Sequence, residues 1–262
     1  MTKNIWQRFE IFSNGIEDNL KYTLKPSNKR LHEEIRKYSD RINYLIIQAG
    51  AYFQTADSAD LSVRPNLLYY GVISLSYALF MYRLADKVDA EKLVNTRYQP
   101  HHGLKMVTYI KNFCHDESGI NDMLHPFRAK IVSKNKDEFF GTFKKFYDSI
   151  EAEYIGLDNC EKKNLVFYKN VEFSLHDLFA QIPETAGFIS GESSGNSPIL
   201  RPANWYISMF IMGMMARYYS DFWVRWIKNS DYRQLMEVFC GLVTKKFPET
   251  VFCQFKGERE AE

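Results

Sequence analysis

The sequence predicts a mainly α-helical protein, a helical bundle carrying a small β-hairpin near 165–173. Two stretches rich in aromatic and aliphatic residues, each launched by an Arg-Pro pair, stand out first. Much of the remaining chain repeats its apolar residues at three- and four-residue steps, the period of a helix with one buried face. The first stretch, Arg64 to Arg83, carries Leu68, Val72, Leu75, Leu79 and Tyr82 on one side and Tyr69, Ile73, Ser76 and Phe80 on another. Two apolar faces require other helices on most sides. Proline fixes φ where a helix can start, so Pro65 marks its beginning. Arg64 and Arg83 bracket the stretch and Tyr and Ser interrupt it, which favours a core helix over a membrane span.

The other elements follow in order. Trp6, Phe9, Phe12, Ile16 and Leu20 give one short amphipathic helix that breaks at Lys25-Pro26-Ser27-Asn28. From Leu31, the run Ile35, Tyr38, Ile42, Leu45, Ala49 and Tyr52 predicts a long helix reaching Phe53, with a loop over 55–63. Its short connection to the helix after Arg64 makes the two antiparallel neighbours. Leu104, Val107 and Ile110 predict a further amphipathic helix, and 114–138, polar and punctuated by Gly119 and Pro126, predicts loops with at most a short helix. Phe143, Phe146 and Tyr147 fall at helical spacing. Residues 165–173 are β-favouring around Lys169-Asn170, a plausible tight turn. Ser174 caps a helix carrying Leu175, Leu178, Phe179 and Ile182, which Pro183 ends, and Gly187 to Pro198 reads as a loop. Arg201-Pro202 opens the second ring-rich helix, Asn204 to Lys228, expected to pack beside the first. Tyr232 to Phe247 is a last amphipathic helix, and Gly257 to Glu262 a frayed tail.

At 262 residues the chain can bury a full core, and it reads as one domain over 1–262, with a helical core at about 30–150 and a C-terminal helical half at about 174–250 packed on it. Lysine and arginine number 34 against 32 acidic residues, so net charge does not advertise a nucleic-acid binder, although a local basic patch remains open. Cys114, Cys160, Cys240 and Cys253 stand far apart with no CxxC pair and no leader ahead of them, which predicts reduced thiols, a cytoplasmic location and no zinc site. No cofactor is expected. Gly187 to Gly195 lacks the Lys-Ser/Thr ending of a phosphate loop, and Ser193 and Ser194 lie outside a nucleophile elbow.

The chain resembles the YaaC-like family of bacterial proteins. The resemblance rests on Gln48-Ala-Gly-Ala-Tyr-Phe53, then Arg64-Pro-Asn-Leu-Leu-Tyr-Tyr-Gly71, His102-Gly-Leu104, Ser174-Leu with Asp177-Leu178, Ile182-Pro-Glu184, and Ala216-Arg-Tyr-Tyr219 with Trp223, which span most of the chain. A long helix, a Tyr-Tyr helix ending in Ala-Leu, and a His-Gly loop before a further helix are similar, more distantly, to the HEPN superfamily. That resemblance implies a helical, often dimeric bundle of toxin or phage-defence systems, many members being metal-independent ribonucleases with an Arg followed after four to six residues by His. Here Arg97 and His102 fit with four residues between them, His101 being a substitute, while Tyr98 stands where a polar residue is usual.

The chemistry is coherent. Metal-free RNA cleavage needs a base for the 2′-hydroxyl, an acid for the leaving oxygen and a cation on the phosphorane. Imidazole titrates near neutrality, and guanidinium grips phosphate through a fork. The same spacing also fits a surface arginine paired with a carboxylate and histidines packed at a helix entry. Tyr69, Tyr70, Arg217, Tyr218 and Tyr219 carry polar tips on otherwise buried helices and must find partners in one another or the backbone. Alternatively Arg64, Arg201 and Arg217, with Tyr69 and Tyr70, wall a shared anion- or ligand-binding pocket. The expected partners are a second copy or a larger effector protein, with RNA or a nucleotide as ligand and no membrane. A catalytically inert scaffold or docking subunit is the alternative function.

Overall fold

The computed structural model of the protein describes residues 4–85, 103–109, 124–131, 142–150, 172–189 and 199–257. In chain order these form α1 (Ile5–Ser13), α2 (Ile16–Leu24), α3 (Lys29–Ser58), α4 (Arg64–Ala85), β1 (Leu104–Thr108), β2 (Phe127–Ile131) and α5 (Thr142–Ser149). There follow β3 (Glu172–Ser174), α6 (Leu175–Ala180), α7 (Pro183–Ala186), α8 (Arg201–Tyr218), α9 (Ser220–Lys228) and α10 (Ser230–Lys256). The described residues are thus mainly helical, with one small antiparallel sheet ordered β1-β2-β3.

The hairpin of α3 and α4 is the centre of the packing. Asn28 caps α3, its side-chain oxygen accepting from Leu31 N at 3.0 Å. Asp60 turns the chain, accepting from Ser62 N at 2.8 Å, and Pro65 sits in the first turn of α4. The two helices run antiparallel. Tyr38 Oη donates to Met81 O at 3.0 Å, Ser74 Oγ donates to Gln48 Oε1 at 3.2 Å, and Tyr52 stacks on Tyr70 at 5.5 Å. Partners therefore descend along α4 as they ascend α3. By length and composition α4 is the one described helix able to cross a bilayer, yet 61% of its most apolar window is buried inside the protein.

Three glycines set how closely the helices meet. A Cβ on Gly71 of α4 would lie 2.8 Å from Phe53 Cδ2 of α3; one on Gly213 of α8 would lie 3.1 Å from Tyr69 Cβ of α4; one on Gly50 of α3 would lie 3.2 Å from the Trp6 ring of α1. The chain α1–α3–α4–α8 is thus held at backbone distances that larger residues would widen. At the far end of α4, Arg83 Nη2 donates to Gln254 O at 2.8 Å, tying in α10. At the near end, Trp223 Nε1 donates to Leu61 O at 3.2 Å, pinning α9 to the α3–α4 corner.

Several sequence expectations need correction. Residues 104–108 form a strand rather than a helix: Leu104 pairs with Ile131 and Thr108 with Phe127. The three-residue apolar step rests on only three residues, and β-branched Val107 and Thr108 suit a ladder at least as well as a helix. The polar middle stretch contains β2, the central strand. Of the expected hairpin, 165–171 lie outside the described residues; Glu172–Ser174 pairs with distant β2. The N-terminal helix is two, separated near Asn14-Gly15, and α2 ends at Lys25 in left-handed backbone, φ 45°. Helix α3 runs on to Ser58, and the second ring-rich helix breaks at Tyr219, φ −130° and ψ 45°. That corner brings the buried Trp223 and Trp226 inward, and Phe127 of the sheet packs edge-on against Tyr219, Phe222 and Trp226. Finally, α10 passes through Pro248 to Lys256. An interior proline costs about 3 kcal/mol, but Val251, Phe252 and Phe255 beyond it are buried, each contributing roughly 1.5–3 kcal/mol, so burial wins.

The glycines give predictions of opposite sign. Gly71→Ala should lower stability by about 1–2 kcal/mol, overpacking outweighing the gain in helix propensity. Gly241→Ala, on the exposed side of α10 with nothing within 4 Å, should raise it by about 0.5–1 kcal/mol. Urea midpoints with unchanged slopes would measure both; equal signs would refute the close-approach account.

Candidate functional site

Arg97, His101 and His102 lie outside the described residues. What is described is the exit from that segment, Gly103, whose φ of 73° is the left-handed backbone that favours glycine. It delivers the chain into β1 at the end where Leu104 faces Ile131.

The three arginines expected around one pocket are placed differently. Arg64 turns back on its own connection, Nε and Nη2 donating to Ala59 O at 3.0 and 2.7 Å, so its fork closes the α3–α4 corner. Arg201 is exposed in the first turn of α8 and Arg217 is exposed in the last. At a rise of about 1.5 Å per residue they are roughly 24 Å apart along one axis. The structure therefore does not gather Arg201 and Arg217 into one site.

It does join Arg217 to Tyr70. Arg217 Nη1 donates to the Tyr70 hydroxyl, and its guanidinium carbon lies 5.7 Å from the Tyr70 ring centre and 4.9 Å from that of Tyr218. Tyr70 in turn stacks on Tyr52 at 5.5 Å with the planes 27° apart. Three helices, α3, α4 and α8, thus contribute to one exposed cation framed by rings. Tyr69 is different. It is buried, edge-on to Phe210 at 5.7 Å, and serves as the floor. Burial first, then the neighbouring hydroxyls of Tyr206 and Tyr70, push its ionisation far above the usual tyrosine range, with Arg217 opposing. It stays neutral at any physiological pH and so acts as packing rather than as an acid or base.

Sequence reasoning passed over Tyr52, which its periodicity assigned to the core face, and missed a second polar cluster altogether. His176, buried on α6, stacks its ring on that of His125 at 4.0 Å, and its Nδ1 lies 3.8 Å from Asp177 Oδ1. Ser174 Oγ accepts from Asp177 N at 3.1 Å and donates to Asp177 Oδ2 at 2.6 Å, a reciprocal helix cap. His125 precedes β2 by two residues, beside the Thr108 end of β1, whereas Gly103 enters at the other end, so this pair and Gly103 lie at opposite ends of the sheet. Only contact in space reveals the pair, because the two histidines are far apart in sequence. Among the described residues no group of three or more His, Cys, Asp or Glu is disposed to hold a metal ion.

Cys240 is wholly buried, and burial pushes its thiol up to about 12. It should resist alkylation at pH 8 in the native protein and react on unfolding in urea, as read by peptide mass mapping; native labelling at Cys240 would contradict this packing. Ser174→Ala should cost about 2 kcal/mol or more, since it removes a cap and strips a hydrogen bond from a buried carboxylate. Denaturant titration would show it, and a change under about 0.5 kcal/mol would refute the role given to the cap.

No curated protein and no solved structure matches the chain. The family described as YaaC-like Protein matches in two overlapping stretches, residues 15–190 and 82–255. Together they cover nearly all of the sequence, including the hairpin, the sheet and the tyrosine–arginine cluster, and the protein belongs to the YaaC-like family.

Proposed function

We propose that this YaaC-like protein is a cytoplasmic, HEPN-like component of a bacterial defence or toxin-type system that acts on RNA or responds to nucleotides, with Arg97 and His102 cutting RNA without a metal. The supporting observation is the antiparallel α3–α4 hairpin, whose Tyr-Tyr helix leads into the Arg97–Gly103 segment, with left-handed Gly103 immediately after the two histidines. A left-handed glycine next in sequence to an imidazole suits a group that must present one nitrogen to a phosphate. Strand β1 stands where the HEPN resemblance implies a further helix, and this is a departure from the pattern. In the proposed reaction His102, with His101 as substitute, takes the 2′-hydroxyl proton as the 2′-oxygen bonds to phosphorus, and a histidine of the pair gives a proton to the 5′-oxygen as its bond to phosphorus breaks. Arg97 holds the pentavalent phosphate, and a second copy of the chain can supply a second pair.

One observation favours a second reading, a non-catalytic scaffold that dimerises or docks onto a larger effector. Tyr44 and Ile47, one turn apart on the solvent face of α3, are 70% and 66% exposed, two large apolar side chains side by side in water. Incubation of the purified protein with total RNA and a chelator separates the readings. The enzyme should cut with the chelator present and lose at least about 100-fold in rate on His102→Ala or Arg97→Ala with unchanged folding. No cutting, together with a light-scattering mass above one chain that falls on Tyr44→Ser and Ile47→Ser, would establish the scaffold instead.

A further inference from the structure

We propose that Tyr52, Tyr70, Arg217 and Tyr218 form a binding site for a nucleobase carrying a phosphate, taken as a free nucleotide or as an unpaired stretch of RNA. The inference shares the ligand class of the proposed function but requires no cleavage. It begins with an unneutralised charge. Arg217 is exposed, and among the described residues it makes no ion pair with a carboxylate; its recorded hydrogen bond goes to a neutral hydroxyl. A guanidinium has five N–H donors in a planar fork, so one bond to Tyr70 fixes its direction and leaves the rest for an anion. The Tyr70 hydroxyl, accepting from Arg217, keeps its own proton to donate to the same phosphate.

The rings supply the other half of the ligand. Tyr218 is 60% exposed at the last residue of α8, beyond the buried run 202–213, and the Arg217 guanidinium lies 4.9 Å from its ring. Tyr70 and Tyr52 are half-buried and stacked on each other at 5.5 Å. An exposed tyrosine beside an oriented arginine offers a flat face for a base next to a donor set for its phosphate, the combination by which proteins hold single strands with little regard to sequence. The geometry is imposed by the core. Gly213 lets α8 approach Tyr69, and Arg217 lies one helical turn further on, which is what carries its guanidinium to Tyr70. An arginine held this way loses little conformational freedom on binding.

The test uses the full chain carrying His102→Ala, so that cleavage cannot interfere. Fluorescence anisotropy reads binding of a labelled single-stranded oligonucleotide of about 12 nucleotides, and calorimetry reads AMP, ATP and inorganic phosphate. Binding of the oligonucleotide, with or without the mononucleotides, is expected to weaken at least tenfold on Arg217→Ala and on Tyr218→Ser, and less on Arg217→Lys. Mononucleotides that bind as well as a nucleotide of the RNA would identify the free nucleotide as sufficient, and binding confined to the oligonucleotide would identify RNA. Absence of binding to both, inorganic phosphate binding as tightly as AMP, or affinities untouched by both Arg217→Ala and Tyr218→Ser would each overturn the proposal. Both substitutions are at exposed positions, and a thermal melt verifies that each variant folds. If one does not, the other decides. The two readings fail separately: lost or unchanged binding decides this site alone, and RNA cleavage retained by Arg217→Ala in the chain with His102 intact would leave the function of Arg97 and His102 standing.

Discussion

Among the described glycines the tightest is Gly71 against Phe53, where α4 lies on α3 with no room for a methyl group. Everything else is arranged around α4. The Phe53 ring that fills the space is itself held by Trp6 of α1 at 5.5 Å and Phe247 of α10 at 6.3 Å, so it cannot swing aside. On the other side of α4, Gly213 admits Tyr69, and the same contact sets the position of Arg217 one turn later. A helix that is apolar on several faces is stable only when each face is covered, and here Gly71 and Gly213 let α3 and α8 lie directly against α4.

Aromatic rings carry much of that covering. Phe9 and Phe12 of α1 meet Phe252 and Phe255 of α10, and Phe143 and Phe146 of α5 meet Tyr206 of α8. These contacts are mostly edge-on or tilted, the arrangement that the ring quadrupole favours. They tie the N-terminal helices to the C-terminal helix, so the hairpin at the centre is gripped from both chain ends. The cost appears as buried polar tips: burial holds the Tyr206 hydroxyl well above its ordinary ionisation range, as it does Tyr69. These groups are fixed as neutral parts of the core. The polar groups left accessible are accordingly displaced to the rim, where Arg217 and Tyr218 stand exposed at the end of α8.

The small sheet has a different task. Its central strand β2 presents Phe127 to the α8–α9 corner, and its edge β3 runs directly into the capped helix α6. Asn204 Nδ2 then donates to Leu178 O at 2.9 Å, joining α6 to α8 within the core. Sheet and helices are thus linked by a few satisfied polar contacts inside an apolar interior, where each such bond is costly to break.

The helical class, the long hairpin and the two Arg-Pro starts were legible in the amino-acid order because they depend on local physics: periodicity, a proline-fixed φ and a side-chain cap. The cap at Ser174 and the break at Lys25-Pro26 were readable for the same reason. Strands β1 and β2 were not, since five-residue strands gain their stability from partners far along the chain, and a short apolar run fits either geometry. The same holds for the candidate site. Residue type alone pointed to Arg217 and Tyr70, but only the packing of α8 on α4 showed that Arg217 meets Tyr70 while Arg64 is spent on Ala59 and Arg201 stands at the other end of its helix. Local sequence sets which elements form; which side chains share a surface is decided by helix approach distances, and those are a property of the assembled core.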